Sequence, residues 1–212
     1  MKVLIVNNGQ IDEKFVKTIV ERHDTVIAVS EALKKLMDLG IMPQIAVGNF
    51  KFMPQEDVDE LESKGLQFFK FPLHKDKTDV EIAVLKANEM GAYEISLTGT
   101  VGTRIDHQLA SFQLLAHPDI SVPLKIVEPR FEAFAVRNRI VFDTEPGNLI
   151  SLIPLSDEVT DIWTDGLSQN LYGERLICGL SRGISNKAVS PTVEIAIGRG
   201  ILLVIHFLKR QE

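Results

Sequence analysis

The sequence predicts an α/β protein in two parts: an N-terminal, mostly parallel sheet flanked by helices, then a C-terminal antiparallel β-sandwich. Three observations carry this. Short runs of Val, Ile and Leu alternate with amphipathic stretches in the first half, the pattern of strands covered on both faces by helices. That alternation stops after Pro118. Beyond it, β-type runs are separated by Gly, Pro, Asn and Asp turns, with no long amphipathic helix among them. The spacing places the domains at residues 1–120 and 121–212, with a linker near residues 118–123.

Strands are expected at residues 2–7, 25–29, 44–48 and 66–71, and helices between them at 11–22, 31–39 and 56–64. The strongest helix signal opens at Thr78, where Thr78 and Glu81 have capping-box spacing. Val80, Ala83, Val84 and Ala87 then trace one helix face, and Gly91 stands where a left-handed cap belongs. A strand over 93–98 and a helix over about 106–116 complete the first part. In the second, strands are expected at 134–142, 149–155, 166–171 and 200–207, with Trp163 and Cys178 as packing residues.

Composition narrows the function. A chain of 212 residues, 45% hydrophobic and 25% charged, is a globular protein, not a disordered tail, fibre or coiled-coil rod. The net charge of −6 argues against a nucleic-acid partner. One cysteine suits a reducing compartment, and no apolar run is long enough for a membrane span. With an N-terminus too quickly polar for a signal peptide, the expected location is the cytoplasm. His23, His117 and His206 lack metal-ligand spacing, and the Lys209-Arg210 pair reads as a solvated end.

Two polar constellations lie at strand-to-helix transitions, where parallel α/β sheets bind ligands. In the first, His74 to Glu81, Asp76 and Asp79 could hold a hard divalent cation with phosphate oxygens, and Lys75 or Lys77 could offset phosphate charge. Equally, Thr78 can serve as an N-cap, with Asp79 and Glu81 as favourable first-turn charges. In the second, Thr98 to His107, glycines allow close backbone approach and Arg104 offers a permanent planar charge to phosphate. Asp106 could meet a substrate hydroxyl or cationic ring, and His107 could hydrogen-bond; a plain turn and helix start reads as well. The Gly-Lys-Ser/Thr ending of a Walker loop is absent.

Residues 76–83, Asp-Lys-Thr-Asp-Val-Glu-Ile-Ala, followed by residues 99–107, Gly-Thr-Val-Gly-Thr-Arg-Ile-Asp-His, resemble bacterial thiamine pyrophosphokinases. The segments 152–155, 165–167 and 183–186 fall in the same family order. The resemblance implies a homodimer that transfers the diphosphate of ATP to the hydroxyl of thiamine with Mg²⁺, releasing AMP. It implies Asp76, Asp79 and Arg104 as catalytic residues, the two aspartates as the metal site, and Lys77, Thr78, Thr98, Gly99, Gly102 and Arg104 as nucleotide contacts. Asp106, His107, Ser185 and Asn186 are the implied thiamine contacts.

The chain also departs from the family pattern. Where the family has Asp-Gly-Gly, this sequence has Ala28-Val29-Ser30-Glu31; where it has Pro-Asp and then Gly-Asp-Phe-Asp-Ser, this sequence has Pro43-Gln44 and Gly48-Asn49-Phe50-Lys51-Phe52. Carboxylates are thus replaced at Val29, Gln44, Asn49 and Lys51, and no aromatic closely follows Asn186. Three readings stay open: an active diverged kinase, a non-catalytic nucleotide- or thiamine-binding relative, and a diphosphokinase or nucleotide hydrolase with another substrate.

Overall fold

A computed structural model describes residues 1–51, 53–71, 76–102 and 104–208. Phe52, Lys75, Thr103 and the Lys209-Arg210 end therefore lie outside the described residues. The chain divides into two compact units, Met1–Glu128 and a second beginning at Pro129.

The first unit runs β1 (Lys2–Val6), α1 (Glu13–Val20), β2 (Thr25–Val29), α2 (Ala32–Asp38), β3 (Ile45–Gly48), α3 (Gln55–Ser63), β4 (Gln67–Lys70), α4 (Asp79–Glu89), β5 (Glu94–Thr98), α5 (Ile105–Gln113) and β6 (Leu124–Glu128). The strands pair in parallel in the order β6-β5-β1-β2-β3-β4. Residues 3–6 and 26–29 are buried without a break, as a sheet covered on both faces requires. On one face Val16, Ile19, Ala32, Leu33, Leu36 and Leu61 of α1–α3 pack on Leu4, Val6, Val26, Ala28 and Ala46. Helix α4 crosses β1, β2, β3 and β5, burying Val80, Ala83, Val84 and Ala87, and ends before Gly91 at φ 77°. Each buried valine of that stripe contributes on the order of 1.5–3 kcal/mol.

Helix bounds are shorter than the apolar pattern suggests because caps decide them: Asp12 accepts the Phe15 N–H and starts α1 at Glu13. The expected linker near 118–123 precedes one further parallel strand, β6, which pairs with β5, so the units divide after Glu128.

The second unit holds two antiparallel sheets. One contains β7 (Phe131–Val136), β9 (Leu149–Pro154), β12 (Asn186–Lys187) and β14 (Leu202–Phe207) in the order β12-β9-β14-β7. The other contains β8 (Arg139–Asp143), β10 (Glu158–Asp165), β11 (Tyr172–Ile177) and β13 (Thr192–Ala196) in the order β11-β10-β13-β8. Val136, Ile150, Leu152, Leu202 and Val204 of the first meet Val159, Ile162, Leu176, Val193 and Ile195 of the second in one core, making the sandwich.

Four expectations change here. Residues 134–142 form not one strand but parts of β7 and β8, in different sheets, turning at Arg137-Asn138. Residues 166–171 form a turn between β10 and β11, with a single bridge from Leu167 to Ala188. Trp163 is 51% exposed, since alternation along β10 turns it outward, edge-on to Tyr172. Cys178 is exposed just past the end of β11. The histidines have structural partners: His23 bonds to the Ile19 carbonyl and the Ser96 hydroxyl, His206 bonds to Glu132 and Thr144, and His117 faces the Glu81 carboxylate at 3.7 Å. No helix among the described residues is long and apolar enough to cross a membrane.

Candidate active site

The register sets the site. Val6 pairs with Ala28 and Thr98, and Val29 with Val47, so the loops after β1, β2, β3 and β5 open along one sheet edge. The strand order reverses between β1 and β5, the switch point at which such sheets bind ligands. There two loops are joined backbone to backbone. Asn7 N–H donates to the Thr98 carbonyl at 2.8 Å, Gly9 N–H to Gly99 at 2.8 Å and Gln10 N–H to Val101 at 2.6 Å. A Cβ on Gly9 would lie 2.3 Å from the Gly99 oxygen, and one on Gly99, at φ 67°, 2.5 Å from the Asn7 oxygen. Both approaches are closed to any residue with a side chain.

Side chains carry this contact along the edge to the first constellation. Asn8 donates to Glu31 at 3.2 Å and Lys35 to the Gly9 carbonyl at 3.0 Å. Ser30, beside Glu31, donates its hydroxyl to Asp79. Thr78 caps α4 by accepting the Glu81 N–H at 3.2 Å, while the Glu81 carboxylate faces Lys77 at 4.0 Å and His117 at 3.7 Å. Asp76 is exposed just before this cap. Asp79 and residues 98, 99 and 101 thus join one chain of contacts along this edge through Ser30 and Glu31, with residues 7–10 and Lys35 as members the linear motifs leave out. The Asn7-Asn8-Gly9 run after β1 was the available signal.

Asn49 is fixed by backbone: its amide donates to the Phe71 carbonyl at 3.2 Å and its oxygen accepts the Lys51 N–H at 3.2 Å. Ser30, Glu31, Asn49, Phe50 and Lys51 open onto a cleft of about 760 Å³ with Leu33, Met37, Met53 and Leu61 deeper in its walls. The lining includes neither Asp76 nor Arg104. Ser30 (φ 52°) and Phe50 (φ 50°) adopt left-handed backbone, a strain that concentrates at functional loops.

Arg104 and Asp106, read separately as phosphate and thiamine contacts, are each other's partners. The guanidinium donates two bonds to the carboxylate, at 2.9 and 2.7 Å. Arg104 holds the Asp106 carboxyl far below the usual carboxylate range, and Asp106 in turn raises the Arg104 guanidinium. Both side chains are exposed, so substrate can displace the pair at little cost. His107 is exposed in the first turn of α5.

Ser185 and Asn186 lie in the second unit. Ser185, at φ 59°, donates its N–H to Ser151 at 3.1 Å. Asn186 is buried and holds the turn after β10: its oxygen accepts from Ser168 at 3.0 Å and Gln169 at 3.1 Å, and its amide donates to the Gln169 carbonyl at 2.8 Å.

Among the described residues no group of three His, Cys, Asp or Glu is placed to hold a metal ion. Mg²⁺ is commonly bound through one or two carboxylates together with substrate phosphates. Of the two aspartates singled out by the sequence, Asp79 is tied to Ser30 and Asp76 is exposed just before α4.

Comparison with known proteins gives the chain's family. The profile of the thiamin pyrophosphokinase catalytic domain matches residues 16–127, and that of the thiamin pyrophosphokinase vitamin B1 binding domain residues 137–202. Thiamine pyrophosphokinase of Bacillus subtilis (strain 168) is 26% identical over 188 residues, covering 87% of this chain and 88% of the relative. The crystal structure of thiamin pyrophosphokinase from Geobacillus thermodenitrificans superposes with a TM-score of 0.83 at 26% identity, covering 100% of this chain and 99% of that one. The B. subtilis crystal structure superposes at 0.86 with 23% identity, covering 99% and 100%, and shares the fold. With both domain profiles matched in order across most of its length, the chain belongs to the thiamin pyrophosphokinase family.

Proposed function

We propose that this protein is an ATP-dependent thiamine diphosphokinase. The thiamine hydroxyl oxygen attacks the β-phosphorus of ATP, the bond to the α–β bridging oxygen breaks, and AMP leaves as thiamine diphosphate forms. The observation that carries this reading is the succession of the two family domains on one chain.

In this reading the loop of Thr98, Gly99 and Gly102 shapes the polyphosphate site, and Arg104 exchanges Asp106 for phosphate oxygens. Lys77 and Thr78 act at the start of α4, whose N-terminus favours negative charge. Asp76 and Asp79 would hold Mg²⁺, which when bound neutralises polyphosphate charge. Asp106, His107, Ser185 and Asn186 belong to the thiamine side. The working form is a cytoplasmic homodimer, as the family resemblance implies.

A second reading, a binding protein without turnover, draws on Lys51. It puts a cation on the cleft wall where the family pattern has a carboxylate, and the neighbouring Asn49 is neutral and committed to backbone. Incubation with ATP, Mg²⁺ and thiamine separates the readings. Thiamine diphosphate and AMP above a no-enzyme control support the kinase. Ligand binding without either product supports the binding protein, and AMP or ADP formed without thiamine points to another acceptor.

A further inference from the structure

The last residue of β6 is a buried carboxylate with no assigned role. Glu128 is 5% exposed, and its Oε1 accepts both the N–H and the hydroxyl of Thr100, each at 2.7 Å. The backbone amides of Gly99 and Val101 also favour its charged form. The N–H and hydroxyl of Thr100 converge on one carboxylate oxygen, with the Gly99 and Val101 amides on either side, a donor cluster like the nests that bind phosphate. Here the protein's own carboxylate fills it.

The opposite side of the same segment is equally committed. The carbonyls of Gly99 and Val101 accept from Gly9 and Gln10. With the Thr100 amide held by Glu128 and the flanking Gly99 and Val101 carbonyls held by the β1 loop, the segment 99–101 is fixed against turning toward a ligand. A ligand anion in that place would have to displace the Glu128 carboxyl from the Thr100 donors.

We propose that Glu128 is a positioning residue for diphosphate transfer: it holds the Thr100 N–H and hydroxyl, fixes the loop, and leaves incoming polyphosphate to Gly102, Arg104 and the N-terminus of α5. This refines the role given to Gly99, which shapes the loop without contacting phosphate. It rests on the reading of this loop as the polyphosphate site.

Glu128→Gln keeps the size and one acceptor oxygen but removes the carboxyl's charge and its second acceptor oxygen; Thr100→Val removes only the hydroxyl donor. Two readouts on the full chain test the proposal. Hydrogen exchange at residues 98–102 is expected to quicken about ten-fold in folded Glu128→Gln, with the core of β1 unchanged. The ATP dissociation constant, measured by calorimetry without thiamine, is expected to rise about ten-fold, with thiamine KM moving less than about two-fold. Unchanged exchange together with unchanged ATP affinity in folded Glu128→Gln overturns the proposal. Where Glu128→Gln does not fold, Thr100→Val carries the same test, with shifts of about three-fold expected and none overturning it. A wild-type chain that binds no ATP overturns the polyphosphate reading, and the exchange comparison then still decides whether Glu128 fixes the loop.

Discussion

Gly9 makes a demand that no neighbouring side chain can relieve, because the atoms its Cβ would strike are carbonyl oxygens of Gly99 and Val101, 2.3 and 2.4 Å away. Gly9→Ala must separate the two loops, and is expected to lower unfolding free energy by about 2 kcal/mol or more in urea titrations. A loss under about 0.5 kcal/mol would show that the loops yield freely. Glu128 gives a pH signature. Burial raises its carboxyl above the ordinary 4.5, outweighing the bonds from Thr100 and the adjoining amides. The folded state then holds more protons than the unfolded one just above that value, so this contribution to stability falls as pH rises through the folded pKa. Stability measured between about pH 4 and 7 should lose this downward component in Glu128→Gln; parallel curves for the two proteins would contradict it. Such partners escape a linear reading: Thr100, in the loop after β5, and Glu128, at the end of β6, meet because β6 pairs beside β5.

At the scale of elements, α4 was legible from its local chemistry. Thr78 caps it, the buried stripe is the one its spacing gives, and Gly91 follows its end. Thr78→Ala is expected to cost about 1 kcal/mol by denaturant unfolding, with Thr78→Ser restoring most of it; equal stability of all three would remove the cap from the account. The sandwich strands were less legible. β10 buries Val159, Ile162 and Thr164 but displays Glu158, Asp161, Trp163 and Asp165, so its polar face hides a strand. The turn at Arg137-Asn138 carries neither Gly nor Pro, which is why β7 and β8 read as one run. The Arg104–Asp106 pair was hidden for another reason: each residue was read against a substrate, and neither against the other.

For the whole molecule, family membership fixes the class of chemistry, and restoring the replaced carboxylates tests what they contribute to it. Asn49→Asp with Lys51→Asp returns two acids to the loop after β3 and removes a cation from the cleft. The double variant is expected to tighten Mn²⁺ binding and raise Mg²⁺-dependent turnover about ten-fold; turnover unchanged or lower would mean that Lys51 itself serves the polyphosphate. Diphosphate transfer is tested most directly by following the phosphorus of ATP in the presence of thiamine and Mg²⁺ by ³¹P NMR. The account predicts AMP and thiamine diphosphate appearing in equal amounts, with no ADP or inorganic phosphate preceding them. Thiamine left unchanged while ATP stays intact, or while ATP is hydrolysed at the same rate with thiamine absent, would contradict it.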